Sequence, residues 1–212
     1  TLNEGDVPLT ATQIAAGFAS HDALAPTVSD QITSDIIDAG AAGSGRLIAN
    51  FGVGVNHIDL DAARSAGLAV SNTPGVLTDA TADLALALML MVSRRAGEGE
   101  RELRAGEWHG WRPTHLMGRS LSGKTLGIIG MGRIGKAVAY RAALGFGMKI
   151  IFFNRSRVTD INDYVAKQID DLDVLCAQSD FVSLHCAASA DTFHILDEER
   201  LKQLQTHAYV IN

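Results

Sequence analysis

The sequence predicts an α/β fold made of parallel βαβ units. Three observations predict it. Short apolar β-type runs alternate with helical stretches, one of these runs ends in a glycine-rich turn that opens a helix at Gly130, and a second glycine cluster, Gly52-Val53-Gly54, stands between another strand and helix. Alternation of this kind builds parallel sheets, because the chain crosses back over the sheet before it pairs again. At roughly 150 residues per domain, the 212 residues suffice for one large domain or two small ones.

The elements follow in order. Residues 46–50 read as a strand, followed by the glycine-rich loop 51–55. A short helix comes next, with Asp59 as N-cap and Gly67 as its stop. Residues 68–71 form the next strand, closed by the turn signal Asn72-Thr73-Pro74-Gly75. Residues 78–104 then read as one long helix, apolar nearly all round in its first half (Leu84, Leu86, Leu88, Met89, Leu90) and charged in its second. Such a helix is expected to be buried at one end and solvated at the other. The connector 106–113 holds both tryptophans, Trp108 and Trp111, which need apolar cover from another domain or subunit.

Residues 125–130 are continuously apolar, as in a strand covered on both faces. The helix 133–144 places Ile134, Val138 and Ala142 on one face. Strands at 149–153, 181–185 and 208–212 and helices at 170–178 and 197–204 complete the pattern.

Composition limits the function. Hydrophobic residues make up 47% and charged ones 20%, as in an ordinary globular chain. A net charge of −6 supplies no diffuse basic surface, which argues against a nucleic-acid partner. The longest strongly apolar stretch, residues 84–92, falls short of the about 20 that span a bilayer, so no membrane partner is expected. Two cysteines, Cys176 and Cys186, make neither a disulfide framework nor a zinc site; no metal is expected, and a reducing, cytoplasmic setting is the default. No basic-then-apolar leader follows Thr1, and the chain stops inside the strand-like Val210-Ile211-Asn212, which points to a piece of a longer protein.

The motif that carries chemistry is Gly130-Met131-Gly132-Arg133-Ile134-Gly135. A G-x-G-x-x-G is weak alone, but after a strand and before a helix it reads as a dinucleotide fingerprint. Gly130 permits the tight turn, Gly132 leaves bare backbone for a pyrophosphate, and Gly135 lets helix and strand approach. Free N–H groups at the helix start then meet the phosphate charge. At the end of the next strand an acid would accept from a ribose 2′-OH. Here stand Asn154-Arg155-Ser156, which favours NADP(H), with NAD(H) as the alternative, unless Arg155 is simply a solvated surface residue. Backbone N–H groups of Gly52-Val53-Gly54 could form an anion nest or an ordinary loop.

Four segments in this order resemble the D-isomer-specific 2-hydroxyacid dehydrogenase family, in its glyoxylate/hydroxypyruvate reductase branch. They are residues 50–59 (Asn-Phe-Gly-Val-Gly-Val-Asn-His-Ile-Asp), residues 72–83, Gly106-Glu107-Trp108, and residues 123–135. The resemblance covers nearly the whole chain. It implies two Rossmann-like/flavodoxin-like parallel-sheet domains with the active site in the cleft between them, both incomplete here. Residues 1–77 would be the substrate domain without its first strand, 78–121 the interdomain and dimerisation segment, and 122–212 the NAD(P)-binding domain without its C-terminal half.

By the same resemblance the substrate-carboxylate loop falls on Val53 and Gly54. Cofactor contacts fall on Thr81, on Gly130, Met131, Gly132, Arg133, Ile134 and Gly135, on Asn154, Arg155 and Ser156, and on Cys186 and Ala187. The family usually has proline near these last two, where this chain has Ala187-Ala188. The implied reaction reduces a 2-keto acid to a D-2-hydroxy acid by hydride transfer, with an arginine on the carboxylate and a histidine–glutamate pair giving the proton. All three of those family positions lie beyond Asn212, so no catalytic residue is assigned, and a chain ending there is expected not to turn over. The implied assembly is a homodimer through residues 78–121.

None of the histidines present has a carboxylate at motif spacing. A polar surface role is expected for His57, subunit contacts for His109 and His115, and a satisfied structural imidazole for His185; His21, His194 and His207 match no catalytic position. Two other functions share this fold: a dinucleotide-sensing corepressor-like binding protein and a formate dehydrogenase. The acidic charge counts against the first, and the ordinary segment before Gly52 against the second.

Overall fold

The computed structural model describes residues 3, 5, 7–161 and 163–212. The chain divides into two compact units, Thr1–Val76 and Leu77–Asn212. Both are α/β with parallel sheets, as the alternation predicts.

In the first unit α1 (Ala11–Ser20) starts at a capping box: Thr10 accepts from the Gln13 N–H while the Gln13 side chain returns to the Thr10 N–H. Strand β1 (Ala23–Leu24), α2 (Ser34–Ala42), β2 (Leu47–Ala49), α3 (Leu60–Ser65) and β3 (Ala69–Ser71) follow. The sheet order is β1-β2-β3, with Ile48 between Leu24 and Val70. Phe18, Ile36, Ile37 and Ile48 are buried among Ile14, Ile32, Ile58, Ala63 and Leu68. Asp59 caps α3 by accepting from the Ala62 N–H, and Gly67 (φ +70°) follows its end, so both helix-end signals read in the sequence hold. Elements before residue 46 have no counterpart in the sequence reading: β1 is two residues long and α2 ends in small residues between two glycines, whereas the capping box of α1 was a signal that could have found that helix.

The second unit holds α4 (Thr78–Ser93), α5 (Ala96–Arg104), β4 (Thr125–Ile129), α6 (Arg133–Phe146), β5 (Lys149–Phe153), β6 (Ala166–Gln168), α7 (Leu172–Gln178), β7 (Phe181–Leu184), a 3₁₀ turn (Ala190–Thr192), α8 (Glu198–Gln203) and β8 (Tyr209–Ile211). Its five-stranded parallel sheet runs β6-β5-β4-β7-β8. Counted within the unit, that is the doubly wound order 3-2-1-4-5, with the topological switch between β4 and β7. Leu126, Ile128, Phe152 and Phe181 pack with Val138, Ala139 and Ala142 of α6 and with Ala82, Leu86 and Met89 of α4. On the other face Ile129, Ile151 and Val182 pack with Leu172, Leu175 and Cys176 of α7. Burial on both faces explains why β4 reads as an uninterrupted apolar run.

Two sequence expectations change and one strand is added. The helix expected over 78–104 is two helices, broken at Arg94-Arg95, where Arg95 is left-handed (φ +55°). The cause is tertiary: the Arg119 N–H donates to the Ser93 carbonyl at 2.7 Å, and Gly118 packs so closely that a Cβ there would lie 2.4 Å from that oxygen. The carbonyl is thereby taken from the helix ladder. Second, the apolar half of that helix is buried on one side only within the chain: Ala82, Ala85, Leu86 and Met89 are covered, while Leu84, Leu88, Met91 and Val92 are exposed. The added strand, β6, carries no apolar pattern: Ala166-Lys167-Gln168 is short, polar and at the sheet edge. Trp108 and Trp111 are exposed within the chain. Among the described residues no helix is long and apolar enough to cross a membrane.

Candidate functional site

The glycine turn lies at the carboxyl end of β4, beside the switch to β7. Gly130 adopts φ +97°, and a Cβ on it would fall 2.6 Å from the Cys186 backbone nitrogen. Only glycine lets the ends of β4 and β7 meet this way. Its N–H donates to the Phe153 carbonyl at 2.9 Å, which ties the turn to β5 as well. At Gly135 a Cβ would lie 2.3 Å from the Gly130 carbonyl oxygen, so helix and turn touch through bare backbone. At Gly132 the same atom would meet nothing within 4 Å.

Gly132 is the N-cap of α6 and offers no side-chain oxygen to the first turn. Among the described residues, the N–H groups of Arg133, Ile134 and Gly135 have no acceptor; the ladder starts at Lys136, which donates to Gly132 O at 2.9 Å. A 14-residue helix thus presents its positive end uncapped beside open backbone. That donor set and that space fit the pyrophosphate of a dinucleotide. Met131 is buried, Ile134 half-buried and Arg133 exposed.

Asn154 organises the other wall. Its Oδ1 accepts from the Met131 N–H at 3.1 Å, and its Nδ2 donates to the Ser156 carbonyl at 3.0 Å and hydroxyl at 3.2 Å. Sequence reasoning missed a partner here. Gln168, on the unread strand β6, donates to the carbonyls of Asn154 (3.3 Å) and Ser156 (3.2 Å) and accepts from the Val158 N–H (3.1 Å). Recognition of β6 was the signal that would have found it. The Arg155 side chain is 90% exposed, with Nη1 3.6 Å from Asp191 Oδ2. The sequence shows no acid next to Arg155, but folding brings Asp191 there from the segment after β7.

Cys186 is half-buried and Ala187 exposed at the end of β7. The Thr192 hydroxyl fixes that segment by donating to the Ala187 carbonyl at 2.7 Å. Just before it, His185 pairs with the Ser183 hydroxyl at 2.8 Å, and burial holds its imidazole below the ordinary pKa. It is the satisfied imidazole the sequence suggests. Thr81 lies exposed in the first turn of α4.

In the first unit, three carbonyls of the second glycine cluster are tied back by side-chain amides. Asn50 Nδ2 donates to the carbonyls of Gly52 (3.0 Å) and Gly54 (2.9 Å), and Asn72 Nδ2 donates to that of Val53 (2.9 Å). Among the described residues the N–H groups of Val53 and Gly54 have no acceptor, and both residues are exposed. A loop with its oxygens engaged and its amides free carries a positive local field, the requirement for an anion.

One histidine departs from expectation. His57 is not at the surface: it is 5% exposed, with Nε2 2.9 Å from Asn50 Oδ1. His115 finds Glu102 at 2.7 Å, and His207 finds Asp180 at 2.7 Å. Both carboxylates are more than ten positions away in sequence, outside any motif spacing. Glu102 also takes Arg112 (2.9 Å) and so pins the connector to α5. Among the described residues no cluster could hold a metal ion.

Comparison with known proteins gives a consistent result. Residues 86–212 match the family model described as D-isomer specific 2-hydroxyacid dehydrogenase, NAD binding domain. The chain is 44% identical over 195 residues to a glyoxylate reductase of Thermococcus litoralis, and 41% identical over 195 residues to one of Pyrococcus horikoshii. Each alignment covers 90% of this chain and 58% of the relative, so the chain spans less than two thirds of the curated relatives it matches. A crystal structure from Polaromonas sp. JS6 66, assigned as a D-isomer specific 2-hydroxyacid dehydrogenase, NAD-binding, superposes with a TM-score of 0.91 at 40% identity. That match covers 100% of this chain and 66% of the other. With the doubly wound order and the uncapped glycine turn already in place, the chain belongs to the D-isomer-specific 2-hydroxyacid dehydrogenase family.

Proposed function

We propose that the protein reduces small 2-keto acids such as glyoxylate and hydroxypyruvate to D-2-hydroxy acids, with NADPH preferred over NADH. The observation that carries this reading is the uncapped start of α6 behind the Gly130-Met131-Gly132 turn. The glyoxylate reductases at 41–44% identity support the substrate class.

The free amides of Arg133, Ile134 and Gly135 bind the pyrophosphate against the open face of Gly132. Met131 and Asn154 hold that turn against the end of β5, with Cys186 and Ala187 along the adenosine and ribose side. Thr81 reaches the cofactor from α4. Arg155 and Ser156 take the 2′-phosphate, and Asp191 is the counter-charge that Arg155 leaves for it. The amides of Val53 and Gly54 hold the substrate carboxylate, which fixes the orientation of the keto carbon. When bound, a nicotinamide dinucleotide supplies the hydride for that carbon.

The protein acts as a homodimer through residues 78–121, and in the cytoplasm. The exposed apolar side of α4 and the exposed Trp108 and Trp111 support the pairing.

The test is steady-state reduction of glyoxylate and hydroxypyruvate by the full-length protein, with NADPH and NADH titrated separately against wild type and Arg155→Ala. Loss of one exposed charge-assisted contact is expected to weaken NADPH binding about tenfold while NADH changes less than about twofold. Equal affinities of wild type for the two cofactors would remove the phosphate assignment, and absence of keto-acid reduction would remove the function.

A further inference from the structure

The anion loop is held by a side-chain relay that ends at a buried histidine. Asn50 follows β2 and is 2% exposed. Its amide nitrogen lies 3.0 Å from Gly52 O and 2.9 Å from Gly54 O, and its Oδ1 lies 2.9 Å from His57 Nε2. This pattern decides the amide orientation. Two carbonyl oxygens can only accept, so the atom between them must be the NH₂ group, and both of its hydrogens are used. The remaining oxygen can only accept, so His57 must donate from Nε2.

The histidine itself is anchored from behind. Its carbonyl accepts from the Ile32 N–H at 2.8 Å, and the Asp59 N–H donates to the Ile32 carbonyl at 3.0 Å. Ile32 and Ile58 both belong to the buried core of the first unit. The relay thus runs from the core, through the imidazole and the Asn50 amide, to the Gly52 and Gly54 carbonyls on either side of Val53.

We propose that His57 is a positioning residue for the substrate: through Asn50 it keeps the Gly52 and Gly54 carbonyls engaged, so that the Val53 and Gly54 amides stay free and fixed for a carboxylate. The proposal rests on the assignment of that loop to the substrate carboxylate. Without the Nε2 donor, the Asn50 oxygen is buried and unsatisfied, and the amide regains a donor only by rotating away from one of the two carbonyls. Gly52 O also accepts from the Thr73 N–H at 3.0 Å, so the oxygen released would be that of Gly54, which would then compete with the carboxylate for the same space.

The experiment compares wild type, His57→Leu and His57→Gln in the full-length protein with glyoxylate and NADPH. Gln places an N–H near the position of Nε2, whereas Leu keeps the bulk and removes the donor. His57→Leu is expected to raise KM for glyoxylate about tenfold, with kcat changed less than about threefold and NADPH affinity unchanged. His57→Gln is expected to restore KM to within about threefold of wild type. A wild-type KM in His57→Leu, or a His57→Gln as impaired as His57→Leu, overturns the proposal while leaving keto-acid reduction in place. A wild type that reduces no 2-keto acid overturns both. Should His57→Leu not fold, ¹⁵N spectroscopy of wild type decides the relay directly: a proton on Nε2 is expected, and the tautomer protonated on Nδ1 alone refutes it.

Discussion

Substituting Gly132 and Gly135 separately by alanine distinguishes a glycine needed for binding from one needed for folding. At Gly132 the added methyl meets nothing within 4 Å, and the backbone (φ −82°, ψ −160°) is open to any residue. Stability should fall by about 1 kcal/mol or less, the difference between glycine and alanine at an N-cap. The methyl nevertheless occupies the space where the pyrophosphate would rest. Overpacking against a rigid group costs about 1–3 kcal/mol, and each 1.4 kcal/mol is tenfold, so the dinucleotide Kd should rise by roughly 5- to 150-fold. At Gly135 the methyl would lie 2.3 Å from the Gly130 carbonyl oxygen, a backbone atom that cannot step aside without moving the turn. Here the about 1–3 kcal/mol falls on the fold itself, and at about 2–4 °C per kcal/mol the unfolding midpoint should drop measurably. The assays are fluorescence titration with NADPH and thermal unfolding monitored by circular dichroism. A Gly132→Ala protein that binds the dinucleotide as wild type does would refute the idea that the phosphates rest on that backbone.

Asp180 joins the starts of β4, β7 and β8 at the opposite end of the same sheet. Burial alone would raise its pKa, but the Thr125 N–H (2.8 Å), His207 (2.7 Å) and the charge of Lys124 outweigh that and hold it below the ordinary carboxylate value. Its contribution is therefore complete above the unfolded pKa of about 3.9 and is lost as pH falls through the depressed folded value; thermal melts of Asp180→Asn should show a deficit of about 1–2 kcal/mol at pH 7 that closes toward pH 2. Replacing Gln168 by Leu removes three hydrogen bonds from the 154–158 loop and should weaken NADPH binding about tenfold while leaving the β4–α6 turn folded, as read by titration and near-ultraviolet circular dichroism. The proposed pairing through α4 predicts that full-length wild type sediments as a dimer and Leu88→Glu, which places a charge on the exposed apolar side, as a monomer; a dimeric Leu88→Glu would move the interface elsewhere, and a monomeric wild type would remove the pairing.

The amino-acid order alone determined the features that depend on near neighbours. The glycine turn at 130–135, the cap at Asp59, the stop at Gly67 and the strands at 125–129 and 149–153 follow from backbone sterics, capping chemistry and burial on both faces, all expressed within a few residues. Tertiary structure decided the rest. The helix over 78–104 breaks because a segment some 25 positions later takes the Ser93 carbonyl. His57 is buried beside the core residues Ile32 and Ile58 with its ring against Asn50, while Asp191 and Gln168 reach the 154–156 loop from the segment after β7 and from β6. The physical reason is the same in each case. Local patterns record which conformations a segment prefers, whereas the partner of a buried polar atom is chosen by the packing of distant segments, and only the folded chain brings them within hydrogen-bond range.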